Sequence, residues 1–138
     1  MAAYVKYDTF IEDVFNKLHD LFGTQDTVYA ALCSDAPVTT TDTTIADRTQ
    51  VANGGGYTTN GIDTQNDGTR TGSTFTATAV DAVWTATTGF GPFRYVALWN
   101  DTSVTDRLIC DFDYGSNVTL LASETFTVDF GASWFTAT

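Results

Sequence analysis

Residues 93–99, FRYVALW, carry apolar side chains at both odd and even positions. A strand with one solvated face alternates apolar and polar residues, whereas a strand covered on both faces does not. This segment therefore predicts a central strand. The sequence GFGP at residues 89–92 is expected to break the chain before it, and residues 100–103 to form a turn after it.

Further strands are predicted on both sides of this segment. In STFTATAV, residues 73–80, phenylalanine and alanine alternate with threonine, which is the period-two pattern of a half-buried strand. Comparable segments lie at residues 27–33, 81–87, 108–112 and 118–130. A turn is expected at YGSN, residues 114–117. Six or seven short strands with turns between them predict a mainly β fold, an antiparallel sandwich or barrel.

One helix is predicted near the N-terminus, at residues 8–22. Its apolar positions fall on one stripe, which Ile11, Phe15 and Phe22 widen. Thr9 and Glu12 have the spacing of a capping box, and Gly23 follows the last apolar residue as a stop signal. A stripe this wide indicates that the helix covers the end of a sheet or lies in a subunit interface. The stripe itself consists of Phe10, Val14, Leu18 and Leu21.

A polar stretch at residues 38–72 shows little strand signal. It is rich in Thr, Asp and Gly, with a single helical turn expected at residues 45–47. Long loops in compact domains are usually functional or pack on a partner, so this stretch is interpreted as an arm. The chain is then one domain, residues 1–138, with helix 8–22, strand 27–33, arm 38–72 and a β body at 73–138.

Composition restricts the classes of partner. The 138 residues include 17 acidic and 6 basic side chains, a net charge of -11. Nucleic acid binding requires clustered Lys and Arg, so nucleic acid is not expected as a partner. Apolar runs are all far shorter than the ~20 residues of a membrane helix, so no membrane is expected either. The 27 threonines support a mainly β chain.

Residues that could support catalysis do not form a recognisable set. His19 is expected on a helix surface or in an interface, because no nucleophile and acid can be placed beside it. Asp111 and Asp113 share one face of a strand and are expected to be solvated. Residues 63–68, DTQNDG, resemble a calcium loop only weakly, because the third position is Gln65. No catalytic, metal-binding or cofactor-binding residue is therefore assigned, and the chain is not expected to be an enzyme.

Cysteines and tryptophans are interpreted mainly as core residues. Cys33 and Cys110 are expected to be two buried free thiols. A disulfide between them is the alternative, and it requires that their strands are neighbours. Trp84 and Trp99 fall in apolar strands, whereas Trp134 is expected to be the most exposed tryptophan.

Several segments in order resemble small structural proteins of tailed bacteriophages. They are QDTVYAAL (25–32), GGGYTTNGI (54–62), VWTAT (83–87), RYVALWNDT (94–102), DFDYGS (111–116) and FTVDF (126–130). The resemblance covers most of the chain from about residue 8. It implies a non-enzymatic virion protein that is assembled in the host cytoplasm, with a head decoration (cement) protein as the first expectation.

The expected partner is the major capsid protein, bound by a homodimer or homotrimer on the outer shell. Helix 8–22 and arm 38–72 are expected to carry the contacts, through Phe10, Val14, Leu18, Phe22, Tyr57 and Trp134. Two alternatives remain open. One is a tail, baseplate or fibre component, in which case the partners are tail proteins. The other is a carbohydrate-binding β-sandwich that uses exposed Trp134, Tyr57 or Tyr114.

Overall fold

The computed structural model describes residues 2–138. The chain is mainly β, with 47% of residues in strands and 7% in helices. The single α-helix in this range is α1 (Phe10–Phe15), and Ile45–Asp47 form one turn of 3-10 helix, as expected. The strands are β1 (Ala3–Lys6), β2 (Val28–Cys33), β3 (Ile62–Asp63), β4 (Asp67–Thr71), β5 (Thr74–Thr78), β6 (Ala82–Thr85), β7 (Gly89–Asn100), β8 (Leu108–Leu121), β9 (Thr125–Val128) and β10 (Phe135–Ala137).

The largest sheet has five antiparallel strands in the order β1-β8-β7-β2-β3. β7 is its middle strand, which confirms the interpretation of residues 93–99. Val96 and Leu98 point into one core, and Tyr95, Ala97 and Trp99 point into a second core on the opposite face. Both faces of β7 are covered, which explains why its sequence does not alternate.

Two smaller antiparallel sheets complete the fold, one in the order β10-β5-β4 and one formed by β6 and β9. Ala77 of β5, and Trp84 and Val128 of the β6-β9 pair, belong to the same core as Val96 and Leu98. Both small sheets therefore contribute to the core on one side of the large sheet. The sheets are not closed into a barrel, so the barrel alternative is wrong.

Two expected interruptions lie inside strands. Residues 89–92 do not break the chain, because β7 already begins at Gly89, and its pairing with β8 shifts register after Phe90. Residues 114–117 do not separate two strands either. Between the pairs Phe93↔Val118 and Tyr95↔Asp113, two steps along β7 match five along β8, so these residues form a bulge.

The predicted helix 8–22 is too long. α1 ends at Phe15, where the Lys17 N–H donates to the Val14 carbonyl at 3.1 Å and the Leu18 N–H to the Asp13 carbonyl at 2.8 Å. This pair of bonds is a Schellman motif, with Lys17 at φ 60° in the left-handed position that glycine usually occupies. The capping box also does not form, because Thr9 makes no side-chain cap.

The predicted arm 38–72 is not a free arm. It contains β3 and β4, and Ile45, Val51 and Tyr57 are buried. Its attachment point is Arg48, whose buried guanidinium pairs with the Asp111 carboxylate and also donates to the Asp35 carbonyl at 2.6 Å. The arm is therefore part of the folded body.

The same cluster corrects the expectation that Asp111 is solvated. Its side chain is fully buried, and it accepts a hydrogen bond from the Tyr7 hydroxyl at 2.6 Å as well as from Arg48. Buried carboxylates persist where they are paired and hydrogen-bonded, and both conditions hold here. Asp113 is half-buried and forms an ion pair with Arg94 at 2.7 Å. In the described range, no helix combines the length and apolarity that a membrane crossing requires.

Candidate functional site

An apolar groove of about 380 Å³ lies between α1, the segment that follows it and the β10-β5-β4 sheet. We call it the α1 groove. It is defined by Ile11, Val14 and Phe15 on the helix, Phe22 on the following segment, and Phe75 and Phe135 on the sheet.

Aromatic rings form the base of the groove. The rings of Phe10 and Phe135 meet edge to face with centroids 5.3 Å apart, and Phe75 lies 6.3 Å from Phe135 and 6.2 Å from Phe22. The sheet register explains this arrangement. Phe75 pairs with Ala137 and Ala77 pairs with Phe135, so both phenylalanines project from the same face.

The helical wall of the groove exposes large apolar side chains. On α1, Phe15 is 81% exposed, and Ile11 and Val14 are also exposed. On the following segment, Phe22 is 54% exposed, and Leu18 is exposed outside the groove lining. Single exposed apolar residues are ordinary, but a contiguous group around a concave surface is typical of an interaction site.

A partly buried ion pair holds α1 in place. The Arg107 guanidinium donates two hydrogen bonds to the Asp13 carboxylate, at 2.8 and 2.6 Å. Asp13 faces inward from α1, and Arg107 lies just before β8. Paired bonds of this kind fix geometry as well as distance, so the helical wall of the groove is set relative to the large sheet.

The segment after α1 is held by Asn100 at the end of β7. The Asn100 amide nitrogen lies 3.2 Å from the Leu18 carbonyl and 2.6 Å from the Asp26 carboxylate. Its carbonyl accepts the N–H groups of Thr102 and Ser103, which fixes the orientation of the amide. One buried side chain therefore anchors both ends of the segment that carries Phe22.

His19 is buried behind the groove, so its expected position on a helix surface or in an interface is wrong. Its Nδ1 lies 3.0 Å from the Asn100 amide nitrogen, which makes Nδ1 an acceptor and leaves the proton on Nε2. Burial lowers the pKa of His19 to about 4, against the opposing effect of the Asp13 and Asp26 carboxylates. His19 is therefore neutral near pH 7.

The six residues expected at an interface divide into two groups. Val14, Leu18 and Phe22 are exposed beside the groove or on its wall. Phe10, Tyr57 and Trp134 are buried, with Phe10 at the base of the groove and the other two outside it. The expectation that Trp134 is exposed is wrong, since only 7% of it is accessible and its indole N–H donates to the Thr78 carbonyl at 3.2 Å.

Two groove residues were not anticipated from sequence. Phe75 lies in the predicted strand 73–80, whose alternation indicates a face but not the partner of that face, and Phe135 lies in β10, which was not predicted. Ile11 and Phe15 were visible as the widening of the helical stripe.

The remaining candidates for chemistry are accounted for by packing. Cys33 and Cys110 are free and buried, which confirms the interpretation as two thiols, and they belong to the cores on opposite faces of the large sheet. In residues 63–68, the Asn66 side chain accepts the Val28 N–H at 2.7 Å. Within residues 2–138, no group of three His, Cys, Asp or Glu side chains is placed to hold a metal ion.

No family model, curated protein or solved structure matches this chain. The resemblance to phage structural proteins therefore depends only on the sequence segments quoted above. The α1 groove has to be interpreted from its own side chains, which are apolar and aromatic, with the Asp20 carboxylate at its edge.

Proposed function

We propose that this chain is a non-enzymatic structural protein of a tailed-phage virion that decorates the outer surface of the head, with the shell protein as its partner. The observation that carries the proposal is the α1 groove, where Phe15 and Phe22 remain exposed on a wall held by buried polar contacts. A preformed apolar surface of this kind suits binding to another protein.

The β body supports the same role. A protein that spans neighbouring subunits of a shell has to be rigid. Here the polar stretch 38–72 is fixed to the large sheet through Arg48 and Asp111. We take the large sheet and the two small sheets as the layers of a β-sandwich, since all three contribute side chains to one core.

The charge distribution fits an external position on a particle. Three of the six basic side chains, Arg48, Arg94 and Arg107, are engaged in ion pairs with aspartates. The remaining acidic excess lies largely on the surface, where it keeps the chain soluble and disfavours contact with packaged nucleic acid.

The carbohydrate-binding alternative is weakened, because Trp134 and Tyr57 are buried and Tyr114 is only partly exposed. A tail, baseplate or fibre component stays as the second candidate. It differs from head decoration in copy number rather than in the surface it requires.

Quantitative mass spectrometry of purified particles tests the proposal. Copies comparable in number to the shell protein support head decoration, and a handful of copies per particle indicates the tail alternative. Complete absence from washed particles overturns both virion roles. The matched control is a host protein of similar mass and acidity, whose level in the same preparation gives the background.

A further inference from the structure

The segment that carries the helical side of the α1 groove is acidic. Residues 8–26 contain five acidic side chains, Asp8, Glu12, Asp13, Asp20 and Asp26, against a single Lys17. Arg107 neutralises Asp13. Asp20 lines the groove and is exposed, and Glu12 is exposed on α1 next to the groove residue Ile11 in sequence.

We propose that the α1 groove binds an apolar segment of another protein that is flanked by Lys or Arg, and not a second copy of this chain. This inference rests on the proposed function, since it gives the chemistry of the partner segment. The apolar side chains of the segment fill the groove against Phe75 and Phe135, and its basic side chains meet Glu12 and Asp20.

The size of the groove suits a few side chains and not a whole domain. Its volume of about 380 Å³ falls at the lower end of known binding pockets. Exposed aromatic side chains at a concave surface are the usual anchors of protein recognition. The groove therefore takes one or two bulky apolar side chains, as in the docking of an amphipathic segment.

Charge argues against a second copy as the occupant. A two-fold symmetric contact places the same patch of both subunits face to face. Two copies of the surface that carries Glu12 and Asp20 would then be brought together, between two chains of net charge -11 each. Like charges repel each other across an interface, whereas Lys or Arg side chains of a basic segment would be attracted to the same carboxylates. A homodimer or homotrimer would have to form through a different surface.

Two synthetic peptides of about 15 residues, long enough for a marginal helix, test the inference on the full chain. Both carry Leu and Phe at helical spacing. One is flanked by lysines, and the other has glutamate at each lysine position. Fluorescence anisotropy of labelled peptides gives their affinities at low and high salt.

The lysine-flanked peptide is expected to bind at least about tenfold more tightly than the glutamate-flanked one, and more weakly as salt is raised. Phe22→Ser and Phe15→Ser should each weaken binding by about tenfold, within the usual range for an anchor residue. Leu121→Ser is the matched control, because Leu121 is exposed but lies outside the groove, and it should change nothing.

Three results would overturn the inference. They are equal affinity for the two peptides, no binding of either one, or sedimentation that shows a dimer which Phe22→Ser dissociates and added salt strengthens. These outcomes are separate from the failure of the proposed function. Peptide binding with no copies in particles would contradict the virion role alone, and copies in particles without peptide binding would contradict the groove inference alone.

Discussion

The carboxylate of Asp13 and the guanidinium of Arg107 form a paired contact with distances of 2.8 and 2.6 Å, although the residues are 94 positions apart. This contact attaches a six-residue helix to the residue that precedes the long strand β8. A helix this short has little stability of its own. The shape of the α1 groove therefore depends on long-range contacts and not on helix propensity.

Replacing Arg107 should be costly for stability. In Arg107→Met the Asp13 carboxylate remains buried without its partner, and the free energy of unfolding should fall by about 3 kcal/mol. Urea denaturation followed by tryptophan fluorescence measures this loss. Arg94→Met is the matched control, because the Arg94 pair with Asp113 is only half-buried, and its effect should be clearly smaller. Equal losses in the two variants would show that burial does not strengthen the Asp13 pair.

Gly68 should not tolerate a side chain. Gly23 and Gly68 exchange two backbone hydrogen bonds, at 2.7 and 3.0 Å, and a Cβ on Gly68 would lie 1.7 Å from the Leu21 carbonyl oxygen. Gly68→Ala should therefore push the segment that carries Phe22 away from β4 and destabilise the fold by about 1–3 kcal/mol. Hydrogen exchange at the Gly23 amide should become faster, as measured by NMR.

Gly72→Ala is the control for that substitution. Gly72 has φ +61° with open space around it, so its cost of about 1 kcal/mol comes from backbone conformation alone. If Gly68→Ala left the protection of the Gly23 amide unchanged, the close contact with Leu21 would not be a real restraint.

The free energy of unfolding should decrease as the pH is lowered, partly because of His19. Its pKa is about 4 in the folded chain and near 6.5 when unfolded, so the unfolded state binds the proton more readily. Neutral His19 makes its full contribution to the free energy of unfolding above pH 6.5. This contribution is lost as the pH falls towards 4, and the loss is roughly 3 kcal/mol at most.

The variant His19→Asn isolates this effect. It keeps an acceptor near the Nδ1 position but cannot titrate, so its unfolding free energy should depend less steeply on pH between 6.5 and 4. Denaturation at a series of pH values gives both slopes. Identical slopes would mean that His19 is not the group responsible.

The two thiols should be unreactive in the folded chain. Burial raises the pKa of both Cys33 and Cys110, so neither forms the thiolate that reacts with disulfide reagents. A colorimetric thiol assay without reductant should find no reactive group in native buffer and both thiols after urea denaturation. Fast reaction of either one before unfolding would contradict its burial.

Sequence predicted the strands better than the helix, for a physical reason. Apolar alternation at residues 73–80 and continuous apolarity at 93–99 follow directly from one-sided and two-sided burial. The apolar pattern of the helix continued through Leu18 and Phe22, but the chain turns at Lys17 in a left-handed conformation. Nothing in the spacing of apolar residues reports that turn.

Long-range polar pairing was beyond sequence patterns. Arg48 lies in a stretch that looks solvated, and Asp111 occupies an alternating polar position, yet the two are buried together 63 residues apart. β1 was not anticipated either, because it is a mostly exposed edge strand without an apolar pattern. The groove was predicted only in part. Its helical wall was visible in the sequence as an apolar stripe, but its aromatic base was not.

Photo-crosslinking in assembled particles tests the role of the groove most directly. A photoreactive phenylalanine analogue replaces Phe22 in one preparation and Leu121 in a control preparation. The proposed function predicts an adduct with the shell protein from position 22, mapped to an apolar segment with Lys or Arg beside it, and little or none from position 121. Adducts between two copies of this chain, or no adduct at position 22 in particles that contain the protein, would contradict it.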